Sequence, residues 1–324
     1  MSLTGTSWDS ALALDIVRVT ERTALAVRHL IGRGQSKAAD QAAVDAMRSA
    51  LNQLPMKGRV VIGEGERDEA PMLFIGEEVG TGEPPEIDIA LDPLEGTNLT
   101  AKAGPNALAV MAFAERGNLL HAPDVYMSKI AVGGGLPGGV IDLDADPADN
   151  VRELAKAKGV PVEEITACVL ERPRHDEIID RLRSAGAAIR LIPDGDVAGV
   201  IHTAEPASGI DIYMGIGGAP EGVLAAAALA CVGGQMETRL VFRNDDERER
   251  ARRVGINDLD RKYAREDMAR GPIVFSATGV THGTLVKGVH RALDGHLATE
   301  TLFLLSRTGA ARSIRTRHAL DERV

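Results

Sequence analysis

The amino-acid sequence predicts an α/β protein, and three observations carry that expectation. Apolar residues switch repeatedly between helical spacing and strand patterns along the 324 residues, as they do when helices cover sheets. The 35 glycines suit many tight turns between short elements. Aromatic residues make up 3% of the chain against 44% hydrophobic residues overall, so the core is built from Ala, Val, Ile and Leu.

Leu12, Ile16, Val19, Thr23 and Val27 repeat at helical spacing, and Val44, Met47, Leu51 and Leu54 repeat it. RVVIG (59–63) reads as a buried strand, and EIDIALD (86–92) alternates Ile87, Ile89 and Leu91 as a strand does. ALAVMAFAE (107–115) follows as another strand. Asp146 and Pro147 open a helix that Gly159 closes. ITACVL, AIRLIPD and IDIYMGIGG read as strands, interleaved with helices that stop at Gly186 and Gly233. NDDERERARR (244–253) mixes both signs of charge and reads as a solvated helix. A division near 150–160 splits the chain into an N-terminal metal-binding αβ half (1–150) and a C-terminal substrate-binding αβ half (151–324), packed as one compact unit.

The formal net charge of −10 leaves no basic surplus for a nucleic-acid partner. An acidic protein handles phosphate only if cations and a few placed arginines offset its carboxylates. Cys168 and Cys231 lie in apolar runs and read as buried small hydrophobes, not as a disulfide. The N-terminus lacks a basic-then-apolar leader, and the longest apolar run, 223–232, is too short to span a bilayer. The expected location is cytoplasmic, with no membrane partner. Two motifs are rejected. Gly133, Gly135 and Gly138 match G-x-G-x-x-G, but Pro137 interrupts it and a strand, GVIDL, is expected after a glycine-rich hairpin turn. Asp142, Asp144, Asp146 and Glu153 have calcium-loop spacing, but Pro147 stands where the loop needs Gly.

The most informative segment is IDIALDPLEGTN (87–98). Asp92 falls at the C-terminal end of a strand, where open α/β sheets place ligands. Pro93 stiffens a turn, Glu95 brings back a second carboxylate, Gly96 permits close backbone approach, and Thr97 adds a hydroxyl. Two carboxylates so spaced suit a hard divalent cation; the competing reading is a turn with surface acids. Upstream, Glu64, Glu66 and Asp68 follow a strand directly, and clustered acids repel unless a cation collects them. Asp40 reads as a first-turn helix acid favoured by the dipole. In GIGGAPEG, Gly215, Gly217 and Gly218 offer backbone N–H groups before a helix, as phosphate sites do. Glu221 in that helix is either a metal ligand or a dipole-complementing acid. PDGD supplies Asp194 and Asp196 for sugar hydroxyls, and ERPRHD supplies Arg172 and Arg174 as planar phosphate forks. His175 reads as a polar helix-start residue. No nucleophile elbow and no phosphate-loop lysine is present. Carboxylates dominate, which favours metal-activated water.

These segments resemble the class II (GlpX-type) fructose-1,6-bisphosphatases of the lithium-sensitive phosphatase superfamily. The likeness runs from RVTERTALA and GRG through VIGEGERDEAPM, LDPLEGTN, APDVYMSKIAVG, RPRHD, IPDGDVA and GIGGAPEG to SATGVTHG. It implies a layered αβαβα sugar-phosphatase fold with two Mg²⁺ or Mn²⁺ ions. By the same resemblance, Asp40 and Glu64 hold one metal, and Asp92, Glu95 and Glu221 hold the other. Thr97 orients or helps deprotonate the attacking water, and Asp68 is the candidate general base. Tyr126, Arg172, Arg174, Asp194, Asp196 and Gly218 bind the sugar and its non-reacting phosphate. Many superfamily members carry Asp at the position of Glu95, and the basic residue expected after GRG appears as Lys37 in an unsettled register, so Lys37 stays outside the site.

The implied activity is hydrolysis of the 1-phosphate of fructose 1,6-bisphosphate in gluconeogenesis, with sedoheptulose 1,7-bisphosphate as a second substrate, by a homodimer or homotetramer. An inositol-monophosphatase-like phosphomonoesterase is the alternative, and the Arg172/Arg174 pair argues against it. A non-catalytic sugar-phosphate sensor would be expected to have lost a metal carboxylate, and all five are present.

Overall fold

The computed structural model describes residues 10–65 and 72–319. The chain begins with α1 (Ser10–Val27), α2 (Ser36–Leu51), β1 (Lys57–Ile62), β2 (Glu78–Val79), β3 (Glu86–Glu95), α3 (Thr97–Ala101) and β4 (Leu108–Glu115). It continues through β5 (Tyr126–Val132), α4 (Pro147–Lys158), β6 (Thr166–Leu170), α5 (Asp176–Ala185), β7 (Ala188–Ile192), α6 (Asp196–His202), β8 (Ile212–Gly218), α7 (Ala219–Val232), β9 (Gln235–Val241), α8 (Asp245–Arg253), β10 (Lys262–Ala264) and α9 (Arg265–Met268). It ends with β11 (Ile273–Gly279), β12 (His290–Arg291), β13 (Leu297–Leu305) and β14 (Ala310–His318).

Backbone contacts group these elements into two units, Leu120–Ala269 and the described residues on either side of it. This grouping differs from the sequence-based halves because β11 returns to pair with β4, Ile273 against Ala114, and so rejoins the sheet that the N-terminal strands began. Each unit is a mixed sheet with helices packed on it, a layered α/β architecture.

In the discontinuous unit the strand order is β12-β13-β11-β4-β3-β1-β2, with β14 also pairing β13. Among the described residues, only β1 and β3 run parallel in this sheet. Ile87, Ile89 and Leu91 are buried, as their alternation predicts, and pack with Leu12, Ile16 and Val19 of α1 and Met47 and Leu51 of α2. Burying each such side chain contributes about 1.5–3 kcal/mol. The intervening Asp88 is buried too. It accepts the Gly117 N–H at 2.6 Å and pairs with Arg116 Nε at 3.2 Å, which a buried carboxylate requires.

In the continuous unit the order is β10-β9-β5-β8-β6-β7. Ile130, Val132, Ala167, Val169, Ile212 and Met214 share one face with Val151 and Leu154 of α4 and Leu182 of α5. Side chains alternate across a strand, so Met127, Lys129, Cys168 and Tyr213 face the other way. There Gly222 of α7 closes on Met127 and Lys129, and Gly199 of α6 closes on Cys168 and Tyr213. The α4 helix opens as predicted: Asp146 caps it by accepting the Ala148 N–H at 2.8 Å, and Gly159 ends it at φ 69°.

The expected GVIDL strand does not form. Val140 and Ile141 are buried in the core, but the backbone donors beyond them find side chains instead of a ladder. Asp142 N–H donates to Asn150 Oδ1 at 2.8 Å and Leu143 N–H to Glu237 Oε2 at 2.8 Å. The acids with calcium-loop spacing are likewise engaged, Asp142 with Lys262, Asp144 with Arg239, and Asp146 as the helix cap. The segment 244–253 forms α8 as expected, except that Glu247 is buried instead of solvated.

Candidate active site

The two carboxylates of LDPLEGTN lie within β3 and not across a turn beyond it. Pairing with β4 runs Asp92↔Val110 and resumes at Glu95↔Leu108, so a bulge separates the two acids. Proline in a strand interior is tolerated at a bulge because no ladder donor is needed there. The freed Leu94 N–H turns back to Asp92 Oδ1 at 2.9 Å. One oxygen of Asp92 and one of Glu95 lie within 4.8 Å of each other, and Glu95 is only 4% exposed. Gly96 then caps α3 in the left-handed region at φ 85°, where a Cβ would stand 2.8 Å from Leu99 Cδ1. Thr97 is the first residue of that helix. Two close carboxylates in a mostly buried setting repel, and an oxygen-seeking divalent cation is the group their chemistry fits.

Asp40 and Glu64, expected to hold the other metal, belong to the same unit as Asp92 and Glu95. Glu64 follows β1 by two residues, as Asp92 follows its partner register position: Ile62 pairs with Ala90 in the parallel ladder. Its N–H donates to Leu73 O at 3.0 Å. Asp40 is the fifth residue of α2, not a first-turn acid, so the dipole reading fails. That helix packs on β3 and α3, and burial lifts the Asp40 carboxyl above its ordinary value. The GRG loop is fastened to α3, with Gly32 N–H on Thr100 O and Gly34 N–H on Ala101 O, both at 2.9 Å. Asp68 and Glu66 lie outside the described residues.

The residues expected to bind sugar and phosphate belong to the other unit and gather at one end of its sheet. Tyr126, the first residue of β5, pairs with Gly218 at the end of β8 and with Val241 at the end of β9. The Arg174 guanidinium carbon lies 5.0 Å from the Tyr126 ring centroid. Its Nε and Nη2 donate to Ile216 O at 3.0 and 2.7 Å, which holds the fork in place. Arg172 is half-buried, and its charge opposes the rise that burial imposes on the Asp194 carboxyl. His175 stands at the start of α5, as its polar helix-start reading expects. It is fully buried, and it joins Leu170 O, through Nδ1 at 2.7 Å, to the Ile216 N–H, through Nε2 at 2.7 Å.

The glycines of GIGG do not offer loop N–H groups, because they lie in β8 and pair with β5. Their value is the missing side chain. A Cβ on Gly217 would meet Asp196 Oδ2 at 2.2 Å, and one on Gly218 would meet Glu221 Oε2 at 1.9 Å. Glu221 lies in the first turn of α7. Asp196 is buried in an ion pair with Lys129 Nζ at 2.5 Å. Sequence reasoning missed Lys129, although a lysine in the otherwise apolar alternation of YMSKIAV signals a buried partner. It also missed Arg243, whose guanidinium carbon lies 5.0 Å from the same Tyr126 centroid. Among the described residues, no helix is long and apolar enough to cross a membrane.

The family model described as bacterial fructose-1,6-bisphosphatase, glpX-encoded, matches residues 10–318. The chain is 47% identical over 326 aligned positions, 96% of each protein, to fructose-1,6-bisphosphatase 1 class 2 of Escherichia coli K12. It is equally similar to fructose-1,6-bisphosphatase class 2 of Shigella flexneri, at 47% identity and 96% coverage of each.

Proposed function

Because the chain belongs to the bacterial, glpX-encoded fructose-1,6-bisphosphatase family, we propose that it hydrolyses the 1-phosphate of fructose 1,6-bisphosphate. The products are fructose 6-phosphate and inorganic phosphate, a step of gluconeogenesis. The observation that carries the reading is the Asp92–Glu95 carboxylate pair presented by the β3 bulge.

Asp92, Glu95 and Glu221 hold one divalent ion and Asp40 and Glu64 the other, Mn²⁺ or Mg²⁺ in each case. Such ions, when bound, lower the pKa of water and neutralise charge on the transferring phosphoryl group. The protein's own groups do the rest. Thr97, at the start of α3, offers a hydroxyl that orients the attacking water, and Asp68 accepts its proton. Arg172 and Arg174 take the non-reacting phosphate through their planar forks. Tyr126, Asp194, Asp196 and Gly218 define the sugar's place, with Lys129 fixing the Asp196 carboxylate. We assign the protein to the cytoplasm as a homodimer or homotetramer, which light scattering of the purified chain tests.

Phosphate release from fructose 1,6-bisphosphate with Mn²⁺ or Mg²⁺, beside an EDTA control and Glu95→Ala, tests the reaction. Turnover that needs metal and falls about 1,000-fold or more in the variant is expected, since one ligand of a metal that stabilises transition-state charge is lost. A folded, metal-loaded wild type that releases no phosphate sinks the assignment.

A further inference from the structure

We propose that Arg243 is a third cationic ligand of the substrate's non-reacting phosphate and sets the preference for a bisphosphate over a monophosphate. The inference rests on the function proposed above and extends its substrate site. Arg243 stands two residues beyond β9, at the sheet end where Tyr126, Gly218 and Val241 pair. Its guanidinium carbon and that of Arg174 each lie 5.0 Å from the Tyr126 centroid, so the two cations share one ring.

The side chain is held as a binding group is held. Arg243 Nε donates to Glu247 Oε1 at 2.6 Å, and Nη2 lies 2.5 Å from the same oxygen. The other carboxylate oxygen, Oε2, accepts the Arg243 backbone N–H at 2.7 Å. Glu247 has a side chain 1% exposed, and its own N–H is taken by Asn244 Oδ1 at 2.9 Å. A buried carboxylate is costly unless paired, and here it fixes an arginine that is itself more than half exposed. Nε and Nη2 are occupied in both Arg174 and Arg243, while Nη1 takes no protein acceptor in either among the described residues. Arg174 and Arg243 thus meet at Tyr126, while Arg172 acts on Asp194, and Glu247 neutralises Arg243. Like charges so placed repel, and a phosphate dianion relieves the repulsion. A guanidinium already stacked and paired loses little side-chain freedom on binding it.

The competing role is structural: Arg243 would serve only to neutralise Glu247 at the start of α8. The two roles separate in specificity. The full chain with Mn²⁺, as wild type, Arg243→Gln and Arg243→Lys, is assayed on fructose 1,6-bisphosphate and on p-nitrophenyl phosphate, which has no second phosphate. In Arg243→Gln the ratio of kcat/KM between the two substrates falls at least tenfold, mostly through KM for the bisphosphate. Arg243→Lys keeps a charge beside Glu247 but lacks the fork, and recovers part of that ratio. Calorimetric binding of fructose 6-phosphate, which carries only the non-reacting phosphate, weakens at least tenfold in Arg243→Gln. An unchanged ratio and unchanged fructose 6-phosphate affinity in cooperatively melting variants overturn the proposal and leave the phosphatase assignment intact. If Arg243→Gln does not fold, Arg243→Lys decides in the same way. A wild type that binds fructose 6-phosphate without hydrolysing the bisphosphate sinks the assignment alone, and the binding comparison still decides Arg243. One that does neither overturns both.

Discussion

His175 is held by two hydrogen bonds of opposite polarity, and that fixes both its tautomer and its response to acid. Leu170 O can only accept, so Nδ1 carries the proton; the Ile216 N–H can only donate, so Nε2 carries none. Burial, with the Arg174 and Arg172 charges adding to it, holds the imidazole pKa below its ordinary value. The unfolded chain takes up that proton near pH ~6.5, the folded chain only at lower pH. Below about pH 6.5 the unfolded state therefore binds more protons, and stability falls as pH drops toward the folded-state pKa. Replacing the ring by His175→Ala leaves Leu170 O and the Ile216 N–H unpaired, at about 2–4 kcal/mol. Denaturant unfolding at pH 7.5 and pH 5.5 checks both points: the variant is less stable at the higher pH, and its deficit shrinks at the lower. A deficit independent of pH contradicts the account. Nothing in ERPRHD shows this role, because the partner N–H comes from a strand some forty residues later. Cys168 was legible: its apolar run places it inside, and burial pushes the thiol up to about 12.

The bulge in β3 shows what pattern reading finds and what it leaves out. Alternation of Ile87, Ile89 and Leu91 located the strand, and Asp92 and Glu95 were found by their spacing. A bulge, however, is a register mismatch with β4, and a single segment does not contain its partner. The same limit explains GVIDL, whose apolar residues are buried while Asn150 and Glu237 take the place of a neighbouring strand. It also explains Asp40, which its own segment places only on a helix; packing of α2 on β3 and α3 sets it in the unit that holds the β3 bulge. At the end of the bulge, Gly96 combines φ 85° with a 2.8 Å approach to Leu99. A side chain there adds left-handed strain of about 1–2 kcal/mol per residue before any displacement of Leu99. Gly96→Ala is expected to lose about 2 kcal/mol or more in urea unfolding and, because α3 carries Thr97, to lower kcat. Normal activity in that variant would show that the turn tolerates movement.

Across the whole molecule, alternation gave the α/β class, but the grouping of strands was hidden in pairings between distant segments. The return of β11 to β4 joins residues 273–279 to 108–114, and no local signal around residue 270 announces it. Stability is where the proposed metals act on the whole fold. An ion that binds the folded chain and not the unfolded one stabilises it by about 2.7 kcal/mol at a hundredfold excess over Kd. For a chain of this size that raises Tm by roughly 5 °C. The metal-free protein, melted with rising Mn²⁺, is expected to show that rise and to lose it on adding EDTA. Glu95→Gln keeps the size of the side chain and removes its charge, so its metal-free Tm stays at or above the wild-type value as repulsion from Asp92 is relieved. Its response to Mn²⁺ then shrinks, because the ligand is gone. A full Mn²⁺ response in that variant would place the stabilising ion away from the β3 bulge, and with it the two-carboxylate basis of the mechanism would fall.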